Sequence, residues 1–398
     1  MDEVRSILVI ATRQIGDVLL TAPLIDAARR RWPAAAIDVL GFERTLGMLE
    51  GHAAVRERIE VPAGQGWRAS MALLQRLWRR YDLALVTQHS DRAHLYGWCA
   101  ARVRSGLVPA RRSTSWWKRL LLRHAVTIDD DTTPTVLEKL ALLQPWQADA
   151  GAVTVAPPPA RALPADLESA LATRFVVVHV PSMWSYKQWP LASFERLIAG
   201  LLAAGHQVVL SGSGSPTDQA QVAPMRRLGA PPRLLDASGR LDLRQMAALL
   251  ARAALYVGPD TSITHLAAAC GTPVVTMFGP TNPVRWGPWP QGASAAAYRR
   301  AQPRQTAGRI VLLQAAQDCI ACGRAGCDDH HHSRSACLDA LPVERVLDEC
   351  LAVLAAGTPP AVAPSRTTPG TTPDTAPDTA PDTPSSAVAT ADSRRSAV

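Results

Sequence analysis

The 398-residue sequence has no apolar run of membrane-spanning length, and it has little lysine. Runs such as Ile7–Ala11 and Phe175–Val180 have the length of strands, far below the roughly 20 residues of a membrane helix. The first residues, Met-Asp-Glu, do not lead into the apolar core of a signal peptide. Seven cysteines, an odd number spread unevenly, do not suggest a disulfide framework. We therefore expect a cytoplasmic protein.

The scarcity of lysine leaves arginine to carry nearly all of the positive charge. Lysine occurs only at Lys118, Lys139 and Lys187, while the formal net charge is +8. A basic surface favours an anionic partner, such as a nucleotide, an acidic glycan, a phospholipid surface or nucleic acid. A general bias of the composition toward arginine and alanine explains part of the same excess.

The order of apolar and polar segments predicts two α/β domains. Hydrophobic residues make up 47% of the chain, and two series of strands alternating with helices begin near residues 5 and 175. Each series indicates a doubly wound parallel sheet. The expected division is an N-terminal domain at 1–156, a proline-rich linker at 157–165, a C-terminal domain at 166–341, a last helix at 342–356 and a disordered Pro/Thr/Ala-rich tail at 357–398.

The stretch 254–283, ALYVGPDTSITHLAAACGTPVVTMFGPTNP, predicts a strand, a turn at Gly258-Pro259, a helix over about 261–270 and a second strand. Polar residues gather at the start of this helix: Asp260 at the expected N-cap, then Thr261, Ser262 and, one turn later, His265. A helix that begins at the carboxyl end of a buried strand offers free N–H groups to a phosphate. The stretch is therefore either a phosphate site or one more well-capped strand–helix–strand unit.

Asp17 follows the first strand, in the segment TRQIGDVLL. It stands at an expected helix N-cap, and its position equally suits a general base at a cleft between domains. The loop before it has one glycine instead of G-x-G-x-x-G, which disfavours a nicotinamide dehydrogenase. Pro23 should kink or shorten the helix that follows.

Two loops of the second series carry further candidates. Lys187 is either a point charge for a phosphate or an ordinary exposed lysine. The loop SGSGSPTD contains Gly212, which lets the backbone approach a ligand closely. It also contains Asp218, which suits either a ribose hydroxyl or a helix N-cap.

Four cysteines near the end of the second series have the spacing C-x2-C-x4-C-x9-C, with three histidines among them. They are Cys319, Cys322, Cys327 and Cys337, in the segment 319–337. Four thiolates can hold zinc tetrahedrally, but this spacing matches no common zinc finger closely. We favour reduced thiols packed in a loop.

Seven cations and no anion lie between Arg102 and Arg123, beside Trp116 and Trp117. No recognition helix or RNA-binding motif supports nucleic acid as the partner. The long side chains either cover their own domain or bind an anionic ligand, since the arginine fork suits phosphate and carboxylate.

Three motifs in this order resemble glycosyltransferase family 9, the lipopolysaccharide core heptosyltransferases: IGDVLLTAP, H-x7-K-x-WP at 179–190, and GPDTSITHLAAACGTPVVTMFGPTNPVRWGP. The resemblance covers most of residues 5–350. It implies a GT-B arrangement, in which two Rossmann-like domains face a cleft, with an ADP-heptose donor in the C-terminal domain and the acceptor in the N-terminal one. It also implies inverting catalysis without a metal or a cofactor.

The resemblance assigns roles by position. Asp17 matches the base, Lys187 the lysine on the donor phosphates, and Asp260, Thr261, Ser262 and His265 the donor motif D-[TS]-x-x-x-H. Ser262 stands where many members have glycine, and Asp218 stands where many have glutamate. We expect the donor site to include also Ser182, Gly212 and Asp218, and the acceptor site to include Arg13, Arg111, Arg112 and Lys118.

The expected partners are a nucleotide sugar, an anionic lipid-linked core oligosaccharide and, through peripheral contact, the cytosolic face of the membrane. Nucleic acid is not an expected partner. Two alternatives stay open. One is a transferase of the same fold with another sugar or another glycan or protein acceptor, and the other is a nucleotide-sugar-binding protein without turnover.

Overall fold

The structure, a computed structural model, describes residues 3–61, 67–148 and 153–357, without the side chains of Arg112 and Thr114. Apart from Gly357, the tail expected over 357–398 lies outside these described residues. Both sheets belong to one compact unit of the chain. No helix of the described part is long and apolar enough to cross a membrane.

The first half of the chain alternates strands and helices as expected. The strands are β1 Ser6–Ala11, β2 Ala36–Phe42, β3 Glu57–Val61, β4 Tyr81–Val86, β5 Ala101–Val108 and β6 His124–Thr127. The helices are α1 Ile15–Leu19, α2 Ala22–Arg31, α3 Trp67–Leu77, α4 Asp91–Ala100, α5 Arg112–Leu121 and α6 Thr135–Leu140. Among the described residues the sheet has six strands, all parallel, in the order β3-β2-β1-β4-β5-β6.

The second half repeats the alternation. Its strands are β7 Phe175–His179, β8 Gln207–Ser211, β9 Leu234–Asp236, β10 Leu255–Pro259, β11 Val274–Met277, β12 Arg304–Ala307 and β13 Ile310–Leu313. Its helices are α7 Ala165–Ala170, α8 Leu191–Ala203, α9 Pro216–Val222, α10 Leu243–Arg252, α11 Ser262–Ala269, α12 Pro283–Trp286, α13 Ala336–Asp339 and α14 Val343–Ala355. In the described chain the sheet order is β12-β13-β11-β10-β7-β8-β9, and only β12 runs antiparallel to its neighbour.

Local sequence explains where several elements begin and end. Pro23 lies in the first turn of α2, where its missing N–H removes no helical hydrogen bond. The single helix expected after Asp17 is therefore two short helices, which confirms the predicted effect of Pro23. The expected turn at Gly258-Pro259 is wrong, since both residues belong to β10. Gly271 follows α11 with a positive φ of 71°, as a C-terminal glycine does.

Each sheet is buried on both faces, as its continuous apolar strands require. One face of the first sheet packs Leu8 and Ile10 against Leu73 and Tyr96 from the helices α3 and α4. The opposite face shares a core with residues of the second half of the chain. The last helix, α14, packs along α8 on the second sheet.

Both sheets contain a point at which the strand order reverses. The chain runs from β1 outward through β2 and β3, and from β4 outward through β5 and β6, so the reversal lies between β1 and β4. In the second sheet the reversal lies between β7 and β10. Open α/β sheets bind ligands outside the carboxyl ends of their strands at such points. The loops after β1, β7 and β10 therefore mark the candidate site.

Candidate functional site

Helix α11 presents an uncapped amino end at the carboxyl edge of the second sheet. Its N-cap residue is Thr261, in extended conformation, and within the described residues no side chain caps it. The expected N-cap role of Asp260 is therefore wrong, because the helix begins one residue later. The first N–H groups of the helix stay available to an anion, and the helix dipole favours one there.

Asp260 is instead paired with Lys187. The Nζ atom of Lys187 lies 2.6 Å from Oδ2 of Asp260, and the carboxylate is almost completely buried. Burial lowers the pKa of Lys187, but Asp260, aided by Tyr186 and Asp17, raises it by more, so that the pKa stands above its ordinary value. Lys187 is thus a fixed cation beside the start of α11 and not an ordinary surface lysine.

Asp17 reaches the same place from the first half of the chain. The N-cap of α1 is Gln14, and Asp17 is the third residue of the helix, so the predicted cap role of Asp17 is wrong. Its half-buried side chain contributes to the raised pKa of Lys187 and opposes the lowering of the pKa of His265 by burial, which places its charge near both groups. The general-base role expected for Asp17 stays a prediction.

Helices α1 and α11 approach each other closely. A Cβ atom on Gly16 would lie 3.4 Å from Cδ2 of His265 and 3.5 Å from Cα of Ser262. Burial lowers the pKa of His265, although Asp260 acts in the opposite direction. The Nδ1 atom of His265 is buried without a hydrogen-bond partner in the described structure. A buried polar atom of this kind is costly unless a ligand or water satisfies it.

Sequence reasoning missed Lys139 as a part of the site. This lysine is fully buried, and its Nζ donates to the carbonyl oxygen of Asp17 at 2.5 Å and to Oγ1 of Thr21 at 3.1 Å. Burial lowers its pKa to about 8, although Asp17 opposes the shift. In the sequence, Lys139 lies among apolar residues of a helix, and that unusual setting is the one signal of a buried role.

The remaining candidates for the donor site, Ser182, Gly212 and Asp218, make contacts within or between the loops that carry them. The hydroxyl of Ser182 donates to the carbonyl of Trp184 at 3.0 Å, within the loop that carries Lys187. A Cβ atom on Gly212 would lie 3.1 Å from Pro181, so this glycine allows a close packing of two loops. Asp218 accepts from the N–H of Ser213 at 2.8 Å, and Ser215 is the N-cap of α9, so the alternative cap role of Asp218 is wrong.

The acceptor candidates are placed differently from one another. Arg13 and Arg111 are exposed, and Arg111 directly precedes α5. The side chain of Arg112 lies outside the described residues. Lys118 is buried and binds Oδ1 of Asp91 at 2.7 Å as well as the carbonyl of His89. Its charge therefore holds α5 against α4.

The cysteine-rich segment lies against the Lys187 loop. His331 stacks on Trp184 at 4.2 Å between ring centroids, and Ser335 donates to the carbonyl of Tyr186 at 2.6 Å. The cysteines are free thiols, of which Cys337 is buried, and burial raises its pKa to about 11. No group of three or more metal-ligating side chains occurs among the described residues, and Cys319, Cys322 and Cys327 are exposed, not packed.

The fold brings an acidic group and a fixed cation from the two halves of the chain near each other. Asp17 comes from α1, while Lys187, Asp260 and the amino end of α11 come from the second sheet. A carboxylate can accept a proton from a hydroxyl group, and a lysine with free backbone N–H groups can hold a diphosphate. The arrangement suits transfer of a group from a diphosphate to a hydroxyl.

Several known proteins that this chain resembles are glycosyltransferases. The profile described as "Glycosyltransferase family 9 (heptosyltransferase)" matches residues 70–310. Lipopolysaccharide heptosyltransferase 3 of Escherichia coli is 27% identical over 292 residues, which cover 69% of this chain and 83% of that protein. The glycosyltransferase family 9 structure from Veillonella parvula has a TM-score of 0.71 at 17% identity and covers 88% of this chain and 98% of its own. The E. coli ADP-heptose LPS heptosyltransferase II has a TM-score of 0.65 at 21% identity, with coverage of 88% and 99%.

Proposed function

The chain belongs to glycosyltransferase family 9, and on that premise we propose that it transfers a heptose from ADP-heptose to the inner core of lipopolysaccharide. Its glycosyltransferase activity follows from the family. The choice of heptose and of the core acceptor is supported by a relative named lipopolysaccharide heptosyltransferase 3, and that of ADP-heptose by a similar structure named for that donor.

One observation carries the proposal. The carboxylate of Asp17, from the first half of the chain, raises the pKa of Lys187, from the second half, so the two charges lie near each other beside the amino end of α11. An inverting transferase needs its base and its leaving-group site on opposite sides of the sugar carbon that reacts. We place that carbon between Asp17 and the amino end of α11, which come from different halves of the chain.

In the proposed mechanism Asp17 takes the proton of the acceptor hydroxyl. The hydroxyl oxygen then forms a bond to the anomeric carbon of the heptose, while the bond from this carbon to the diphosphate oxygen breaks and ADP leaves with the electron pair. Lys187 and the first N–H groups of α11 stabilise the charge that develops on the diphosphate. Asp260 positions Lys187, and His265 lies buried beside them.

The other candidate residues fit into this proposal as follows. Thr261 and Ser262 supply N–H groups to the diphosphate, while Ser182, Gly212 and Asp218 shape the two loops that hold the nucleotide. The donor then lies on residues 166–341 and the acceptor on residues 1–156. For the acceptor we retain Arg13, Arg111, Arg112 and Lys118, of which Lys118 acts by holding α5.

We test the proposal by incubating the protein with ADP-heptose and a heptose-free, lipid-linked core, and by measuring the ADP released and the mass of the glycolipid. The expected result is one ADP for each heptose added. ADP-, UDP-, GDP- and CMP-sugars are compared by thermal shift, since a ligand at a hundredfold excess over its Kd stabilises by about 2.7 kcal/mol. A shift with a UDP- or GDP-sugar alone would refute the ADP donor, and binding without ADP release would make the protein a nucleotide-sugar binder.

A further inference from the structure

Large apolar side chains are exposed on one layer of the first half of the chain. Of the eight exposed ones in the described residues, seven lie between residues 67 and 120. They are Trp67, Met71, Trp78, Leu95, Trp98, Trp116 and Leu120. Scattered apolar residues on a surface need no explanation, but a group of this size on or directly after three helices does.

These residues follow the outward stripes of α3, α4 and α5. Spacings of three or four residues, such as Leu95 to Trp98 and Trp116 to Leu120, place each pair on one side of its helix. The opposite sides of α3 and α4 are buried: Leu73 and Tyr96, for example, lie in the core. The two stripes therefore point away from the sheet.

Contacts between the helices join the stripes into one surface, which we call the α3–α5 face. Trp78, directly after α3, meets Trp98 of α4 edge to face at 6.1 Å. His94 of α4 meets Trp117 of α5 at 6.3 Å, and Lys118 bridges to Asp91. The three helices thus form one continuous layer.

The positive charge of the chain is concentrated in the same layer. Residues 67–124 contain twelve cations and two anions, a net charge of +10, whereas the whole chain carries +8. Arg68, Arg92 and Arg123, one from or next to each helix, are exposed. Arg68 lies over the ring of Trp67 at 5.6 Å. Exposed tryptophan beside exposed arginine is the composition that suits an anionic lipid interface.

The α3–α5 face begins at the edge of the sheet that carries the candidate site. The loop after each strand of a parallel sheet leaves at the carboxyl edge, so α3, α4 and α5 all begin at the edge where Asp17 lies. A bilayer against this face would therefore adjoin the cleft.

We propose that the α3–α5 face docks the protein on an anionic phospholipid bilayer, with the tryptophans at the headgroup level and the arginines on the lipid phosphates. The proposal rests on the proposed function in one respect, since a lipid-linked acceptor is presented at that surface. Docking itself requires no donor, no acceptor and no turnover.

The test is sedimentation of the full chain with vesicles of phosphatidylethanolamine and phosphatidylglycerol, compared with vesicles of phosphatidylcholine alone. Binding is expected to the anionic vesicles and to fall as salt is raised. Arg68→Ser, Arg92→Ser and Arg123→Ser together should weaken binding by roughly 100-fold, at about fivefold for each cation. Trp67→Ser, Leu95→Ser and Leu120→Ser together should weaken it by roughly tenfold or more.

A matched control removes three arginines from the second half of the chain, Arg196→Ser, Arg227→Ser and Arg324→Ser, and should bind as the wild type does. Equal binding of this control and of the Arg68 triple variant, or equal binding to both kinds of vesicle, would overturn the proposal. Light scattering tests whether a second copy of the chain occupies the α3–α5 face instead. If the wild type is a dimer, the Trp67 triple variant is a monomer and neither binds vesicles, the face is a contact between two copies and the proposal is wrong.

Turnover of a core acceptor without acyl chains separates docking from catalysis. Both triple variants should use this water-soluble acceptor at the wild-type rate, and should lose rate only with the lipid-linked acceptor in vesicles. If the wild type binds vesicles but uses no heptose donor, the proposed function fails and docking stands. If the wild type transfers heptose but binds no anionic vesicle, the proposed function stands and the docking proposal fails.

Discussion

The ammonium group of Lys139 lies 2.5 Å from the carbonyl oxygen of Asp17, in the interior of the protein. Lys139 belongs to α6 and Asp17 to α1, so this hydrogen bond fixes the helix that carries the proposed base. Thr21 donates to the same carbonyl at 2.8 Å. The buried cation therefore holds the backbone of Asp17 in place.

This burial has a consequence for the pH dependence of stability. Burial lowers the pKa of Lys139 to about 8, whereas the unfolded chain has the ordinary value near 10.5. Between these two values the unfolded state binds more protons than the folded state, so the free energy of unfolding rises with pH. Below about pH 8 both states hold the proton, and the cost of burying the charge is constant.

We predict that Lys139→Met removes this rise. Relative to the variant, the free energy of unfolding of the wild type should increase by roughly 3 kcal/mol between about pH 7 and pH 10.5, at 1.36 kcal/mol per pKa unit. Urea melts of both proteins across this range measure the difference, in which the other titrating groups cancel. Parallel curves would mean that Lys139 titrates normally.

Asp17→Asn should retain the fold and the binding of the donor while turnover falls about 10²–10⁴-fold, the usual contribution of a general base. Because Gln14 and not Asp17 is the N-cap of α1, the change removes no helix cap. Asp348→Asn, on an exposed side of α14, is the matched control and should have wild-type kinetics. ADP release under saturating donor is the measurement, and activity within a few-fold of the wild type would assign the base elsewhere.

The sequence predicted the two parallel sheets and most strand positions because short buried runs separated by turns specify them. It did not predict β5 as a strand. Arg102 and Arg104 interrupt the apolar pattern there, and the guanidinium of Arg104 is satisfied by the carbonyls of Ala101 and Leu121. The contact with Leu121 joins residues 17 positions apart, and no local pattern encodes it.

The motifs predicted neither the helix caps nor the partner of Asp260. The sequence predicts a cap at Asp260, and at Asp17 either a cap or a general base, because both residues lie next to an expected helix start. The structure places the caps at Thr261 and Gln14. The side chain of Asp260 turns to Lys187, which lies 73 positions earlier in the sequence, and only the folded chain shows that pair.

The pair of Lys187 and Asp260 allows stability and activity to be separated. Lys187→Ala should weaken donor binding and lower kcat, because the departing diphosphate loses a cation. It should also destabilise the protein by about 3–5 kcal/mol, since Asp260 is left buried without its partner. Adding Asp260→Asn should recover most of the stability and none of the activity. Recovery of both would show that Lys187 matters only as the partner of Asp260.

Lys187→Arg tests whether the site needs the compact ammonium group of lysine or only a positive charge. The charge is kept, but the planar guanidinium differs from the compact ammonium in size and hydration, so the donor KM should remain raised. Steady-state kinetics with varied donor measure this, and a wild-type KM in the arginine variant would reduce the role of Lys187 to charge alone.

Arg285 joins the two halves of the chain, and its loss should be severe. Its Nη1 lies 2.9 Å from Oε1 of Glu138, a carboxylate that is 2% exposed, and 3.0 Å from the carbonyl of Asp129. Burial raises the pKa of Glu138, and Arg285 counteracts this shift. Arg285→Ala should therefore destabilise the protein by about 3–5 kcal/mol at neutral pH, because a buried charge loses its partner.

A variant of a surface arginine and a change of pH distinguish the loss of this buried pair from a general destabilisation. Arg196 pairs with Glu344 on the surface, and both side chains are more than 60% exposed, so Arg196→Ala should lower the free energy of unfolding by less than about 1 kcal/mol. The destabilisation caused by Arg285→Ala should also become smaller as the pH falls. In the variant the pKa of Glu138 rises further above its unfolded value, and once protonated this side chain needs no cation. Urea melts at neutral and at acidic pH measure both effects, and equal costs for the two arginines, or a cost that does not change with pH, would show that Glu138 is not held by Arg285.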